Sequence, residues 1–155
     1  MKKLALFITA ILITSASFAQ DYSVEEVEIV QNLFGLEKKA IIEGNIDLKG
    51  VDTEAFWALY EEYEVTRKKL GKEKIDLLHQ YSTIATITNE EVEMLMKKAI
   101  PLRNSEDALI EKYYKKIKNA TNAIVAAQFY QIERYISDGI RFTILNNMCF
   151  VQDKK

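Results

Sequence analysis

Proline occurs once in this sequence, at Pro101, and glycine only five times in 155 residues. Punctuation that sparse leaves little to stop a helix, and only residues 143–151 could pass for a short strand. That stretch is read instead as the frayed end of a last helix. Cysteine also occurs once, as Cys149, which excludes an internal disulfide. Between Met148 and Phe150 it is expected to sit as a small buried hydrophobe rather than to cross-link two chains.

Catalytic chemistry is short of parts as well. Nucleophilic catalysis needs a serine, cysteine or threonine with a base, usually histidine, and the one histidine, His79, stands in "LLHQYS" without a partner motif. No H-x-x-H, C-x-x-C or H-E-x-x-H occurs, so no zinc site is expected. No glycine-rich phosphate loop is present. Neighbouring carboxylates such as Glu25 and Glu26, or Glu61 and Glu62, point about 100° apart on a helix and read as solvated faces rather than acid and base pairs. The expectation is a protein that is not an enzyme, with no catalytic residue, cofactor or metal. A small metal-dependent or hydrolytic enzyme built around His79 is the weakest reading.

What the sequence does contain begins at its start. "MKKLALFITAILITSASFAQ" has two lysines, an apolar run from Leu4 to Ile13, and Ser17 and Ala19 at the positions that precede a cut. This is the pattern of a secretory signal peptide over residues 1–19. Its apolar core is shorter than the roughly 20 residues of a membrane-spanning helix, and no second apolar stretch is long enough to span, so the chain is expected not to be membrane-embedded. A periplasmic or secreted single domain over 20–155 is expected. Without Lys2 and Lys3 the 21 basic residues fall to 19 against 23 acidic, a net charge near −4. Export and mild acidity argue against nucleic acid as a partner.

The periodicity predicts four helices, at about 23–43, 53–85, 88–118 and 121–145, forming an all-α long hairpin or bundle. In the first, Ser23 and Glu26 fit a capping box, and Val27, Val30, Phe34 and Ile41 share a face until E-G-N at 43–45 breaks the helix. Asp52 or Thr53 caps the second. Its heptad places Phe56, Tyr63, Leu70, Leu77 and Ile84 at one seam position, and Tyr60, Arg67, Lys74 and Tyr81 at the other. Arg67, Gly71 and Lys74 make its centre the expected weak point. In the third, Thr88 and Glu91 form a second capping box, with Val92, Leu95, Ala99, Leu102, Leu109, Tyr113 and Ile117 as the apolar face and a kink or break expected at Pro101. Glu64 with Lys68, Glu93 with Lys97 and Glu111 with Lys115 are acid-first pairs at a spacing of four on exposed faces. After a turn at 119–122, the last helix carries Val125, Phe129, Ile132, Ile136 and Ile140, flanked by Gln128 and Gln131, with Glu133 and Arg134 turned outward.

Two dense stretches remain, "EAFWALYEEYEVTRKKLGKE" at 54–73 and "AAQFYQIERYI" at 126–136. Phe56, Tyr60 and Tyr63 lie on the seam and read as core, whereas Trp57 lies one step off it and Leu59 borders its other side. Trp57 and Leu59, with Arg67, Lys74, Tyr130 and Arg134, are therefore the candidate partner-binding residues. An exported, cysteine-poor helical chain with I-T-N-E-E opening a helix resembles the periplasmic Spy/CpxP group, whose signature is L-T-x-x-Q. F-W-x-x-Y-x-x-Y, R-K-K-L-G and Q-F-Y-Q-I-E-R look like a broader set of uncharacterised secreted helical proteins associated with that group. The likeness covers roughly residues 54–140, with Ile87 in place of leucine and Glu91 in place of glutamine. It implies a long-helix hairpin, homodimerisation into a curved cradle, and ATP-independent binding of non-native polypeptides in envelope stress. The alternative that it implies is a regulatory partner of a membrane sensor or sigma-factor system.

Overall fold

The computed structural model describes residues 37–82 and 87–147. They form four helices and no strand, an all-α fold: α1 over 37–45, α2 Thr53–Ser82, α3 Asn89–Ala120 and α4 Ala123–Asn147. The expected signal peptide and Ser23 capping box, with Val27, Val30, Phe34, Ile84 and Cys149, lie outside the described residues.

Local chemistry sets the helix limits. Gly50 adopts φ +76°, a left-handed conformation that suits glycine in the turn between α1 and α2. Asp52 Oδ1 then accepts the Ala55 amide at 2.9 Å and caps α2. Thr88 and Glu91 close the expected capping box in both directions, at 3.2 and 2.8 Å. Asn122 Oδ1 takes the amides of Ile124 and Val125, each at 2.9 Å, and starts α4. Of the kink or break expected at Pro101, no break occurs, and α3 runs through it as one helix. Both Pro101 and Lys97, whose carbonyl loses its intrahelical donor, are exposed, so water can satisfy the freed group.

Cross-helix pairs fix the register. Glu62 meets Lys116, Lys74 meets Glu106 and Gln80 meets Lys98, so α2 and α3 run antiparallel along nearly their full length. Tyr114 against Tyr130, and Asp107 against Arg134 and Arg141, set α3 antiparallel to α4 in the same way. Lys38 to Glu64 and Lys39 to Glu61 lay α1 antiparallel along the first half of α2.

The main apolar cluster lies at one end, where α2 begins, α3 ends and α4 begins, and Ile87 and Ile136 are buried outside it. The cluster comprises Ile42, Ile46, Phe56, Tyr60, Tyr63, Leu109, Ile110, Tyr113, Ile117, Val125, Ala126 and Phe129. The expected seam of α2 faces it: Phe56, Tyr60 and Tyr63 are buried, and Arg67, Leu70, Lys74, Leu77 and Tyr81 are half-buried. Tyr63 makes edge-to-face contacts with Tyr113 and Phe129 at centroid distances of 5.4 and 5.2 Å. Beyond this end the packing thins. No residue of 64–81, 88–108 or 137–146 is fully buried.

Candidate functional site: a charge-compensated outer face on α4

Two features of the folded chain exceed ordinary helix packing, and the first is a charge cluster inside the core. Lys38 is fully buried and reaches Glu64 Oε1 at 2.6 Å and Glu133 Oε2 at 2.7 Å. The Tyr63 hydroxyl donates to Glu133 Oε2 at 2.6 Å, and Arg67 Nε donates to Glu64 Oε1 at 2.8 Å. Lys38 Nζ also lies 4.9 Å from the centre of the Tyr63 ring, a cation–π distance. Glu133 was expected to turn outward and instead lies inside at 2% exposure. The reason is tertiary, since a lysine on α1 and a tyrosine hydroxyl on α2 supply what water would otherwise supply.

Electrostatics within this cluster are those of a structural clasp. Burial pushes the Glu64 carboxyl up, but Lys38 and Arg67 more than offset it and hold the group below its ordinary value. Burial, then the Glu133 charge and its hydrogen bond, hold the Tyr63 hydroxyl well above its ordinary value, so it stays protonated as a donor. Two cations and two anions balance there, with Lys38 and Glu133 enclosed and Glu64 and Arg67 largely buried. Such a group ties α1, α2 and α4 together.

The second feature is a surface. At 100° per residue, Ile124, Gln131, Tyr135, Asp138, Phe142 and Leu145 fall within an arc of about 80° on α4, opposite its core stripe. All six are exposed, with Ile124 at 71%, Phe142 at 71% and Leu145 at 69%. The outer faces of the neighbouring helices are richer in charge: that of α2 carries Glu54, Glu61, Lys69, Lys72 and Asp76 around an exposed Val65, and that of α3 carries Glu93, Lys97, Glu111, Lys115 and Lys118 around an exposed Ile100.

On α4 every charged side chain is engaged within the chain. Glu133 is in the clasp; Arg134 binds Asp107 at 2.5 Å and Asp138 at 3.6 Å. Arg141 reaches Asp107 at 2.6 Å, Asp138 at 3.3 Å and Glu106 at 3.5 Å. Burial pushes the Asp107 carboxyl up, and the two arginines outweigh it and hold the carboxyl below its ordinary value. The α4 face is therefore mostly apolar, and its one carboxylate, Asp138, is paired with Arg134 and Arg141. The α3–α4 register extends it, because Leu145 lies level with Ile100, which is 53% exposed, and near Met96, which is 47% exposed.

The six expected partner-binding residues are not brought together on this face. Trp57 is half-buried, edge-on to Phe56 and Tyr60 at 5.1 and 5.5 Å, with Lys39 Nζ 4.9 Å from its ring centre. Leu59 packs against the core. Arg67 borders the clasp and Lys74 pairs with Glu106. Tyr130 stands edge-on to Tyr114 at 5.8 Å, and Arg134 edges the α4 face through its pair with Asp107. The face itself was legible as a second stripe in the last helix, at 124, 131, 135, 142 and 145, behind the more obvious core stripe.

His79 is exposed on α2, and among the described residues no group of histidine, cysteine and carboxylate side chains could hold a metal ion. No described helix is long and apolar enough to cross a membrane. No protein-family model, curated protein or solved structure matches the chain.

Proposed function

We propose that the protein is an exported binding module that holds non-native polypeptide segments on the outer face of α4 and the adjoining end of α3, without nucleotide or cofactor. The observation that carries this reading is the exposed, charge-compensated apolar stripe on α4, set beside α2 and α3 faces rich in charge. Exposed contiguous apolar surface rimmed by polar residues marks interaction sites. Met96 at its α3 border, with a flexible and polarisable side chain, suits contacts with many sequences. The likeness to the Spy/CpxP group supports the same reading by analogy.

Magnitude favours transient holding. Ile124, Tyr135, Phe142 and Leu145 together offer on the order of 500 Å² of side-chain surface, worth roughly 12 kcal/mol of gross transfer free energy if fully covered. Association costs of about 4–15 kcal/mol leave a weak, rapidly exchanging complex. Release then needs no chemical energy. The test is suppression of aggregation of a chemically denatured client by the chain from residue 20 onward, at near-stoichiometric ratio and without nucleotide. Suppression that Phe142→Asp abolishes supports the reading, and no suppression across clients and salt concentrations overturns it. A single preferred partner in an envelope pull-down, with indifference to unfolded clients, would instead favour the regulatory role.

A further inference from the structure

We propose that the buried clasp is an ammonium-recognition site that α1 fills as an exchangeable strap, and that a lysine-bearing helical segment of a partner protein takes the strap's place. The site is separate from the α4 face and stands or falls without it.

The clasp has the parts of a cage for an alkylammonium group. Glu64 and Glu133 take the Lys38 ammonium at 2.6 and 2.7 Å, and the rings of Tyr63 and Tyr60 are centred 4.9 and 5.7 Å from it. Carboxylates and aromatic faces are the groups that hold a cation taken out of water. All four residues belong to α2 or α4, so the cage is built without α1. Its capacity also exceeds what Lys38 uses. Tyr60 Oη, Glu64 Oε2 and Glu133 Oε1 are buried with no hydrogen-bond partner among the described residues. Lys38 therefore occupies the cage without saturating it, and those unmet polar atoms lower the stability of the closed state.

Charge decides what can replace Lys38. Without the lysine, two carboxylates face the single guanidinium of Arg67, a surplus of one negative charge. A replacement must bring a cation, because a buried carboxylate left unpaired penalises every other occupant.

The strap itself is slight. α1 covers residues 37–45, fewer than the roughly 12–15 at which an isolated helix becomes marginal in water. Over 37–51 only Lys38, Ile42 and Ile46 are fully buried, at steps of four, and Gly50 turns the chain into α2 with a left-handed backbone. A buried ion pair selects its partner more than it adds stability, so α1 opens at lower cost than the aromatic core behind it. Its departure bares the cage and the Tyr60 and Tyr63 rings. The segment that fits there repeats the strap's pattern, a lysine with aliphatic residues four and eight positions on.

The probe is a fluorescein-labelled peptide with the strap's own sequence, residues 37–51, added to the chain from residue 20 and followed by fluorescence anisotropy. Saturable binding is expected. Norleucine at the peptide's Lys38 position keeps the aliphatic stem, deletes the charge and should weaken binding at least about 30-fold. Lys38→Ala in the chain withdraws the internal competitor and should tighten binding at least about 10-fold. If that variant does not fold, Ile46→Ala loosens the strap with every cage residue in place and should also tighten binding. Locking the strap is the converse. Lys39 and Glu61 meet at 3.9 Å, and Lys39→Cys with Glu61→Cys, bridged by a short bis-maleimide in a Cys149→Ser background, should abolish binding. No binding to any of these chains, binding that survives the lock, or indifference to norleucine would overturn the proposal. Loss of binding on Phe142→Asp would overturn it too, because the peptide would then sit on the α4 face. No client is present, so failure of the aggregation assay overturns the holding function alone.

Discussion

Where α2 begins, Phe56, Tyr60, Tyr63, Tyr113 and Phe129 exclude water and Lys38 is neutralised inside them by Glu64 and Glu133. At the opposite end Lys74, Glu106, Asp107 and Arg141 pair along the helix edges, while Ile100, Phe142 and Leu145 face solvent. The same three helices pass through both ends, so the difference lies in side chains rather than backbone. Large aromatic residues at one end fill the space between helices and leave charge no option but to pair internally. Half-buried aliphatic residues and ion pairs at the other end hold the helices more loosely and leave apolar surface uncovered. Stability that varies along a structure in this way places the adaptable surface at the less stable end.

Substitutions can break this contrast, beginning where the effect is greatest. Phe129→Ala should destabilise the fold by about 3–5 kcal/mol, measured as a lowered denaturant midpoint, because Phe129 is fully enclosed and in edge contact with Tyr63. Leu77→Ala, at a half-buried seam position near the far end, should cost well under half as much. Equal losses at the two positions would erase the distinction.

Lys38→Ala should follow at about 3 kcal/mol, since it strands the Glu133 carboxylate in a sealed site. Proteolysis near α1 should then quicken more than cleavage in α3. If Lys38→Ala is neutral, the clasp does not hold α1.

The pH limits of stability should also report the clasp. Glu64 is held below its ordinary 4.5, so its contribution is complete above that pH and is lost as pH falls through the lower folded value. Tyr63 is held above 10, so the folded state keeps a proton that the unfolded state loses, and stability declines as pH rises past 10. Thermal scans across pH should show both declines, and Glu64→Gln should weaken the acid one.

At the looser end Arg141→Ala should cost about 1 kcal/mol and matter less in high salt, because its partners are partly exposed. The smallest effect belongs to Phe142→Asp, expected within about 0.5 kcal/mol of the parent in stability because the ring is already in solvent.

Much of this architecture was legible in the sequence. The Thr88 and Glu91 capping box, the Phe56, Tyr60 and Tyr63 seam and the Val125, Phe129 and Ile136 stripe all lie where helical spacing put them. The expected Glu93 to Lys97 pair is present at 2.9 Å. The clasp was not legible, because Lys38 and Glu133 are 95 positions apart and each alone reads as a solvated charge. Glu64 was expected to face outward toward Lys68 and is turned inward by Lys38 and Arg67. The centre of α2, expected to be its weak point, is helical throughout with no buried residue over 64–81, and Lys74 is met there by Glu106 from α3, a partner that no spacing within α2 could reveal. Trp57 was singled out for standing off the seam, but aromatic neighbours and Lys39 cover much of it. Phe142 and Leu145 carry the larger exposed apolar surface because α4 has a second stripe turned away from its core.

The central claim is that this second stripe holds polypeptide, and the aggregation assay comparing the parent chain with a Phe142→Asp and Leu145→Asp double variant tests it most directly. The account predicts that the variant folds with the parent's helical content and thermal midpoint yet loses most of the suppression. Equal suppression by the two proteins would contradict it.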